Sequence, residues 1–350
     1  MNGAPLVPRI ALAADYTISR VIKGGWQLAG GHGAVQEDAA LADMAAYANA
    51  GITTFDCADI YTGVEERIGR FHASRAPEAS PVQVHTKCVP DLGALDALQP
   101  TDLEAIVQRS CTRLGVGALD LVQLHWWDYE RGDVVAAART LHALQQAGRI
   151  RQLGATNFDT PTLRAMLDAG VPIVSHQVQY SLLDTRPAGA MTALCTARGV
   201  QLLCYGALAG GFFHERWLGA SEPTEPLENR SLVKYKLIID ECGGWSRFQA
   251  LLSTVAVVAA QHDTTIGAVA IAWTLQQPAV AAVIAGARNA QHLAETQRAA
   301  SIALTARDLE RLAAARRELE TPPGDVYTLE RDREGRHGRI MRYNLNAGQG

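Results

Sequence analysis

The sequence lacks the marks of several protein classes. Only 19% of its 350 residues are charged and the formal net charge is −4, so we expect no nucleic-acid partner and no attraction to an anionic membrane. No uninterrupted apolar run reaches the roughly 18 residues of a membrane span. No basic and then apolar leader opens the chain, which predicts a cytoplasmic protein.

Two residue types that often build special sites are scarce. The six cysteines form no CxxC pair and no close cluster, which argues against a disulfide framework and a zinc site. We therefore predict reduced thiols and no bound metal. Lysine is rarer still, with four copies among 32 basic residues: Lys23, Lys87, Lys234 and Lys236.

Short apolar runs alternate with helical spacing of apolar residues almost throughout the chain. The predicted strands are Val21–Gly25, Thr53–Asp56, Val82–Lys87, Leu119–His125, Ile150–Thr156, Ile173–Gln177, Val200–Tyr205 and Ala281–Gly286. Such alternation predicts a parallel sheet, because each return needs a crossover helix. An open doubly wound sheet would show a G-x-G-x-x-G run, and none is present. The pattern favours an α/β fold, a single (β/α)8 barrel.

Two regions depart from this repeat. The stretch 209–245 follows the seventh strand, is far longer than a usual strand-to-helix loop, and is rich in aromatic residues. Two alternatives are open for it, a pocket wall or lid and a satellite with its own small core. We assign residues 1–320 to the barrel and 321–350 to a polar C-terminal tail, either disordered or folded back over the barrel mouth.

Polar residues stand at the carboxyl ends of the predicted strands, which converge on one mouth of a barrel. Lys87 shares a strand face with His85, opposite two valines that suit the helix layer, so its ammonium is expected to point inward. Asp56 could supply the countercharge of the Lys87 ammonium. Tyr61 follows Asp56 by one short turn, and the ammonium would lower the pKa of its phenol. His125 could donate a hydrogen bond to a carbonyl oxygen. Such a site suits carbonyl reduction if a hydride donor lies opposite.

These residues carry a resemblance to a known family. The stretch 51–65, GITTFDCADIYTGVE, resembles the signature of the aldo-keto reductase superfamily (NAD(P)H-dependent oxidoreductases), in which Asp and Tyr stand five positions apart. Further strand ends resemble the family in order: HTK at 85–87, LHW at 124–126, GATN at 154–157, HQVQY at 176–180, CYGAL at 204–208 and GARN at 286–289.

The resemblance implies a role for each matching position. Tyr61 would be the general acid, tuned by Lys87 and Asp56, with His125 as the orienting donor. The cofactor would be NADPH, with NADH not excluded, and its carboxamide would be held by Thr156, Asn157 and Gln177. The nicotinamide ring would stack on Tyr205, and the pyrophosphate would meet backbone around Gly206, Leu208 and Gly210.

The same resemblance assigns the remaining positions around the cofactor and the substrate. Arg288 would face the adenosine 2′-phosphate and Glu295 the adenine, while His292 and Thr296 stand where the family commonly carries other residues. Backbone at Gly25 and Gly286 would approach the cofactor. The substrate would lie beside Trp26 and one member of the adjacent pair Trp126 and Trp127.

The leading hypothesis is NADPH-dependent reduction of an aldehyde or ketone of small size to an alcohol. One alternative is a metal-dependent barrel hydrolase with His85, His125 and Asp56 as ligands. The other is a non-enzymatic nicotinamide-binding regulatory subunit, since the family also contains potassium-channel β-subunits that keep the four residues. Aromatic loops favour an apolar or ring-bearing substrate, a sugar is equally compatible, and the oligomeric state stays open.

Overall fold

Eight parallel strands close into a barrel, as the alternating pattern predicts. The computed structural model describes residues 6–29, 35–79, 81–286 and 289–346. Each predicted strand is present, with ends that differ by at most two residues, and the (β/α)8 barrel is confirmed. Numbered after the two strands of a hairpin that precedes them, the barrel strands are β3 (Val21–Gly24), β4 (Thr54–Asp56), β5 (Gln83–Cys88), β6 (Leu119–Leu124), β7 (Ile150–Thr156), β8 (Ile173–Gln179), β9 (Gln201–Tyr205) and β10 (Val280–Gly286). Each strand pairs with the next, and β10 pairs with β3 to close the barrel.

Helices follow the strands, most of them on the outside of the barrel and some at its mouth. They are α1 (Glu37–Asn49), α2 (Val64–Ser74), α3 (Pro100–Leu114), α4 (Val134–Gln146), α5 (Thr160–Asp168), α6 (Ala190–Arg198), α7 (Arg230–Glu241), α8 (Trp245–Gln261), α9 (Ile266–Leu275), α10 (Leu293–Ala299), α11 (Ala306–Arg317) and α12 (Thr328–Arg331). Asp159 caps α5 through the Thr162 amide, and Thr305 opens α11 in a capping box. The capping box of α3 begins at Gln99, and Pro100 occupies the first helical position.

A hairpin closes the end of the barrel opposite the mouth. β1 (Arg9–Ala13) and β2 (Tyr16–Ser19) pair antiparallel and were absent from the predicted strands. Leu12, Tyr16 and Ile18 pack with interior residues of the barrel in a separate apolar cluster. The alternation of these apolar residues with exposed ones is the strand period that would have revealed the hairpin.

The strand period also sorts the third barrel strand, β5, into two faces. Val82 and Val84 belong to the large apolar cluster between sheet and helices, as predicted. His85 is fully buried on the opposite face, 6.0 Å from the Tyr16 ring, and neither of its ring nitrogens has a hydrogen-bond partner among the described residues.

The segment that follows β9 contains an aromatic cluster and a helix near the mouth. Phe212, Trp217, Trp245 and Phe248 pack edge to face or tilted, with ring centroids 5.0–6.0 Å apart, and form a local aromatic core. Helix α7 belongs to the same segment, and its Lys234 reaches the ring of Tyr205 at the end of β9. The aromatic cluster is thus continuous with the large apolar core, and α7 faces the mouth.

The C-terminal residues contact the carboxyl ends of several strands. Arg331 donates hydrogen bonds to the carbonyl oxygens of Trp126 (3.0 Å) and Asn157 (2.8 Å), which follow β6 and β7. The ring of Tyr343 lies 5.1 Å from that of Trp127. These contacts hold the segment across the mouth.

Among the described residues, no single helix has the length and apolarity that crossing a membrane demands. Only α8 and α9 taken together reach those two criteria, and the pair bends by 92° between its members.

A pH-dependent stability follows from the buried histidines. Burial lowers the pKa of His85 to about 3, so the native protein keeps it neutral while the unfolded chain binds a proton below about pH 6.5. The contribution of neutral His85 to the free energy of unfolding is therefore fully present above pH 6.5 and is lost as the pH falls toward 3. In urea unfolding between pH 6 and 4, we expect His85→Leu to make this decline shallower by about 1.4 kcal/mol per pH unit. An unchanged slope would contradict the assignment of His85 as a buried neutral base.

Candidate active site

A buried ion pair joins two neighbouring strand ends. Lys87 at the end of β5 and Asp56 at the end of β4 lie with Nζ and Oδ2 2.8 Å apart, and the ammonium also donates to the Cys57 carbonyl at 2.8 Å. The second carboxylate oxygen, Oδ1, accepts from the amides of Gln177 (2.6 Å) and Gln123 (3.2 Å). The three side chains that contact the carboxylate therefore all belong to barrel strands, β5, β6 and β8.

The pair keeps its charges despite the lack of solvent. Burial opposes the charge on the Lys87 ammonium, but the carboxylate of Asp56, the nearby Tyr61 and the hydrogen bond to Asp56 outweigh burial. Together they hold the pKa of Lys87 above its ordinary value. A fixed positive charge therefore stands at the mouth across the neutral pH range.

Tyr61 lies next to this charge. The Lys87 ammonium is 5.1 Å from the centroid of its ring, and the ring of Trp26 meets it edge to face at 5.2 Å. Burial raises the pKa of Tyr61, the charge of Lys87 lowers it, and Asp56 raises it again, with a net increase. We therefore correct the expected net decrease, although the effect of Lys87 has the predicted sign. The phenol consequently keeps the proton that an acid must supply.

His125 is oriented by the backbone of the next strand. Its Nδ1 lies 3.3 Å from the carbonyl oxygen of Thr156, and because a carbonyl only accepts, Nδ1 carries the hydrogen. Burial and then the charge of Arg331 lower the pKa of His125 to about 3. The neutral ring thus presents an acceptor at Nε2, which has no partner among the described residues. This tautomer differs from the donor that the sequence suggested.

A flat aromatic surface with polar neighbours lies beside the four residues. The Tyr205 hydroxyl donates to Asn157 Oδ1 at 2.8 Å, and Asn157 adopts a left-handed backbone with φ 63°. Buried Thr156 Oγ1 has no hydrogen-bond partner in the described part of the chain. These groups suit an aromatic ring that carries an amide, so the site fits a nicotinamide. Gln177 differs, because Asp56 already engages its amide nitrogen.

Helix α7 covers the segment predicted to meet a pyrophosphate. Gly206 and Gly210 have φ values of 80° and 65°, and a Cβ on either would overlap Tyr235 of α7. Packing against Tyr235 therefore explains these glycines without a ligand. Leu208 is partly buried in the large apolar cluster. The Lys234 ammonium lies 4.9 Å from the Tyr205 ring centroid, so it occupies one face of that ring.

The residues predicted around the adenosine are brought together only in part. Glu295 accepts a hydrogen bond from Thr265, and His292 Nδ1 lies 3.4 Å from its other oxygen, while Thr296 is buried. A Cβ on Gly286 would meet Gln27, and one on Gly25 would lie 2.7 Å from the Asp56 carbonyl. Arg288 lies outside the described residues.

The two adjacent tryptophans lie in different environments. The Trp127 ring meets His125 edge to face at 4.3 Å and so lies at the site. Trp126 is 1% exposed and donates its indole N–H to the Arg131 carbonyl, so it packs in the interior. Trp127 is therefore the member of the pair that is the candidate for the pocket wall, and Trp126 is the member that packs away from it.

Several residues near the site were not singled out from the sequence. The Tyr327 ring lies 5.5 Å from that of His125, with φ 62° at Tyr327. Glu330 is fully buried, with Arg186 at 3.4 Å and Lys234 at 3.9 Å. Burial opposes its charge, but the two cations outweigh burial and keep the pKa of Glu330 below its usual value. The polar tail gave no sign of such anchors, whereas the scarcity of lysine could have drawn attention to Lys234.

The tautomer of His125 is open to a direct test. We expect nitrogen-15 NMR of the labelled protein to show a neutral ring protonated at Nδ1 throughout pH 5–9, because burial and Arg331 oppose a second proton. His125→Asn identifies the resonance. A titration midpoint above pH 6, or a hydrogen on Nε2, would show that the ring is a donor after all.

Comparison with known proteins identifies the family. A family model, the aldo/keto reductase family, matches residues 20–317. An NADH-specific methylglyoxal reductase of Escherichia coli (strain K12) is 24% identical over 319 residues, covering 84% of this chain and 93% of that protein. Flagellar radial spoke protein 5 of Chlamydomonas reinhardtii is 29% identical over 258 residues, covering 62% of this chain. The match spans only 48% of that protein, about half its length.

A solved structure shows the same fold. The glycerol dehydrogenase from Gluconobacter oxydans superposes with a TM-score of 0.75 at 24% identity, covering 89% of this chain and 95% of that one. The family match covers most of the chain, and the closed parallel barrel agrees with it. The chain therefore belongs to the aldo/keto reductase family, a family of NAD(P)H-dependent oxidoreductases that act on carbonyl groups.

Proposed function

We propose that this chain reduces an aldehyde or ketone to an alcohol, with hydride from NADPH and a proton from Tyr61. The observation that carries the proposal is the buried Lys87–Asp56 pair, which places a permanent ammonium 5.1 Å from the Tyr61 ring. An ammonium in a low-dielectric site stabilises the negative charge that develops on a phenol oxygen as its proton leaves. The chemistry of the site thus matches the protonation half of carbonyl reduction.

Each residue of the site has a part in this proposal. Tyr61 holds its proton until charge develops on the substrate oxygen, because burial raises the pKa of the phenol. Lys87 then compensates the phenolate, and Asp56 keeps the ammonium charged. His125 accepts at Nε2 and so orients a hydroxyl hydrogen, such as that of the alcohol. A bound reduced nicotinamide would supply the hydride.

Residues at one side of the mouth would hold that cofactor. Thr156 Oγ1, which has no partner among the described residues, and the Asn157 amide would bind the carboxamide, and the ring of Tyr205 would stack on the nicotinamide. Since Lys234 occupies one face of Tyr205, the nicotinamide takes the opposite face or displaces this side chain. The preference for NADPH rests on Arg288, whose guanidinium would pair with the 2′-phosphate. The NADH-specific relative makes this preference a point to test.

The tail and the segment after β9 would form the substrate pocket. Trp26, Trp127 and Tyr327 surround the rings of Tyr61 and His125 at centroid distances of 4.3–5.5 Å. Three aromatic walls favour an apolar or ring-bearing carbonyl compound, and the stacking of a sugar ring is equally compatible.

The alternative functions have less support. A hydrolase would need Asp56 as a metal ligand, but its oxygens are engaged by Lys87 and two amides. The described residues also contain no group of three or more ligating side chains. A regulatory subunit would use the same cofactor contacts, and one relative is named as a radial spoke component. A panel of carbonyl compounds, assayed at 340 nm with NADPH and NADH, separates that alternative from a reductase.

Tyr61→Phe tests the acid. We expect turnover to fall by at least about 100-fold, because the variant keeps the ring but lacks the proton, as is typical for loss of general acid catalysis. The dissociation constant for NADPH, measured by quenching of tryptophan fluorescence, should stay within a few-fold of the wild type. A variant with near-normal turnover would refute the role of Tyr61.

Arg288→Ala tests the cofactor preference. We expect the affinity for NADPH to fall at least about tenfold, as for the loss of a charge-assisted contact, and the affinity for NADH to change little. The matched control Arg298→Ala removes an exposed arginine from α10 and should leave both affinities unaltered. Equal losses for the two cofactors would show that Arg288 does not read the 2′-phosphate.

A further inference from the structure

The loop that carries Tyr61 belongs to no strand. It leaves β4 at Asp56, and the Tyr61 amide closes a turn by donating to the Ala58 carbonyl at 3.0 Å. The distance from Tyr61 to Lys87 on the neighbouring strand thus depends on what pins this loop. The side chain midway along it, Asp59, is fully buried.

Asp59 ties the loop to the strand end that carries Lys87. Its Oδ2 accepts from the amide of Val89 at 3.3 Å, two residues after Lys87. Arg113 of α3 donates to the carbonyl oxygen of Asp59 at 2.9 Å, and Arg109 lies 3.9 Å from its carboxylate. One aspartate therefore links the two catalytic segments and the helix behind them.

The C-terminal segment completes this link through Asn346. Its side-chain nitrogen donates both to Asp59 Oδ2 (3.1 Å) and to the Val89 carbonyl (2.8 Å), while its oxygen accepts from Arg109 (2.7 Å). Its backbone amide donates to Asp91 at 2.9 Å. The Asn346 side chain thus uses its nitrogen as a donor to two partners and its oxygen as an acceptor, 287 positions away from Asp59 in the sequence.

The electrostatics of the cluster favour this contact. Burial and the nearby Glu65 carboxylate raise the pKa of Asp59 to about 7, whereas the hydrogen bonds from Asn346 and Val89 and the charge of Arg109 lower it. An amide donor stabilises the ionised carboxylate, so docking of Asn346 and ionisation of Asp59 support each other.

We propose that Asp59 and Asn346 are positioning residues that clamp the Tyr61 loop against the Lys87 strand end. Besides forming part of the pocket, the C-terminal segment then affects the rate of proton transfer through the position of Tyr61, without contacting the reacting atoms. Neither residue contacts the predicted substrate or cofactor positions, so the effect runs through Tyr61. This inference rests on the proposed function for its kinetic part only.

The test compares two asparagines of the same segment. Asn346→Ala removes the clamp, whereas the matched control Asn344→Ala removes a contact to the Gly93 amide (2.9 Å) that does not touch the loop. In the cofactor-free protein, we expect hydrogen exchange of residues 57–61 to become roughly fivefold faster only in Asn346→Ala. Turnover at saturating NADPH should fall at least about tenfold in that variant, as small misplacements of catalytic groups do, while the dissociation constant for NADPH stays within twofold.

A double variant tests the coupling of the two residues. Asn346→Ala already breaks the contact with Asp59, so the further change Asp59→Asn should lower turnover by clearly less in this variant than it does in the wild type. Equal changes in Asn346→Ala and Asn344→Ala, or wild-type exchange in both, would overturn the proposal. If the wild type reduces no carbonyl compound, the proposed function fails, and the exchange of residues 57–61 still decides the clamp.

Discussion

The structure of the site depends on one buried ion pair. Lys87 and Asp56 lie 2.8 Å apart with almost no access to solvent, and the carboxylate offsets the cost of burying the ammonium. Removal of one partner from such a pair typically costs about 3–5 kcal/mol, because it leaves an uncompensated buried charge. The barrel meets this demand through Gln177 and Gln123, whose amides hold the second oxygen of Asp56. The inner polar residues of β6 and β8 thereby fix the geometry of the first catalytic strand end.

Around this pair, the site divides into groups with different electrostatic tasks. The ammonium of Lys87 is charged at neutral pH, whereas burial keeps the phenol of Tyr61 protonated and the ring of His125 neutral. Groups whose environments drive their pKa values apart can act as charge stabiliser, acid and neutral acceptor in one small volume. A second charged network, in which Glu330 meets Arg186 and Lys234, attaches the C-terminal segment beside Tyr205. The mouth is therefore organised by two separate ion networks, one in the barrel and one shared with the tail.

Much of the fold could be predicted from the sequence because the barrel repeats one local rule. Apolar runs and helix starts mark every strand and its return, and the strand ends then place Asp56, Lys87 and His125 at one mouth. The hairpin at Arg9–Ser19 escaped because its alternation is short and its partner surface is the closed barrel itself. The anchors of the tail escaped for a different reason. Asn346 and Arg331 owe their positions to contacts with residues more than 170 positions away, which no local pattern records.

The chemistry of the site was harder to predict than its composition. The presence of a lysine beside a tyrosine indicated a lower phenol pKa, but only the burial of Tyr61 reveals that desolvation outweighs the lysine. Likewise, the tautomer of His125 is set by the Thr156 carbonyl, and the partner of Gln177 is Asp56, neither of which follows from residue type. The crystal structure of the complex with NADP+ tests the account most directly. We expect the nicotinamide ring against Tyr205, with its reactive carbon facing the Tyr61 hydroxyl and Lys87 still paired with Asp56. A ring bound away from Tyr205, or a Lys87 ammonium that has left Asp56, would contradict it.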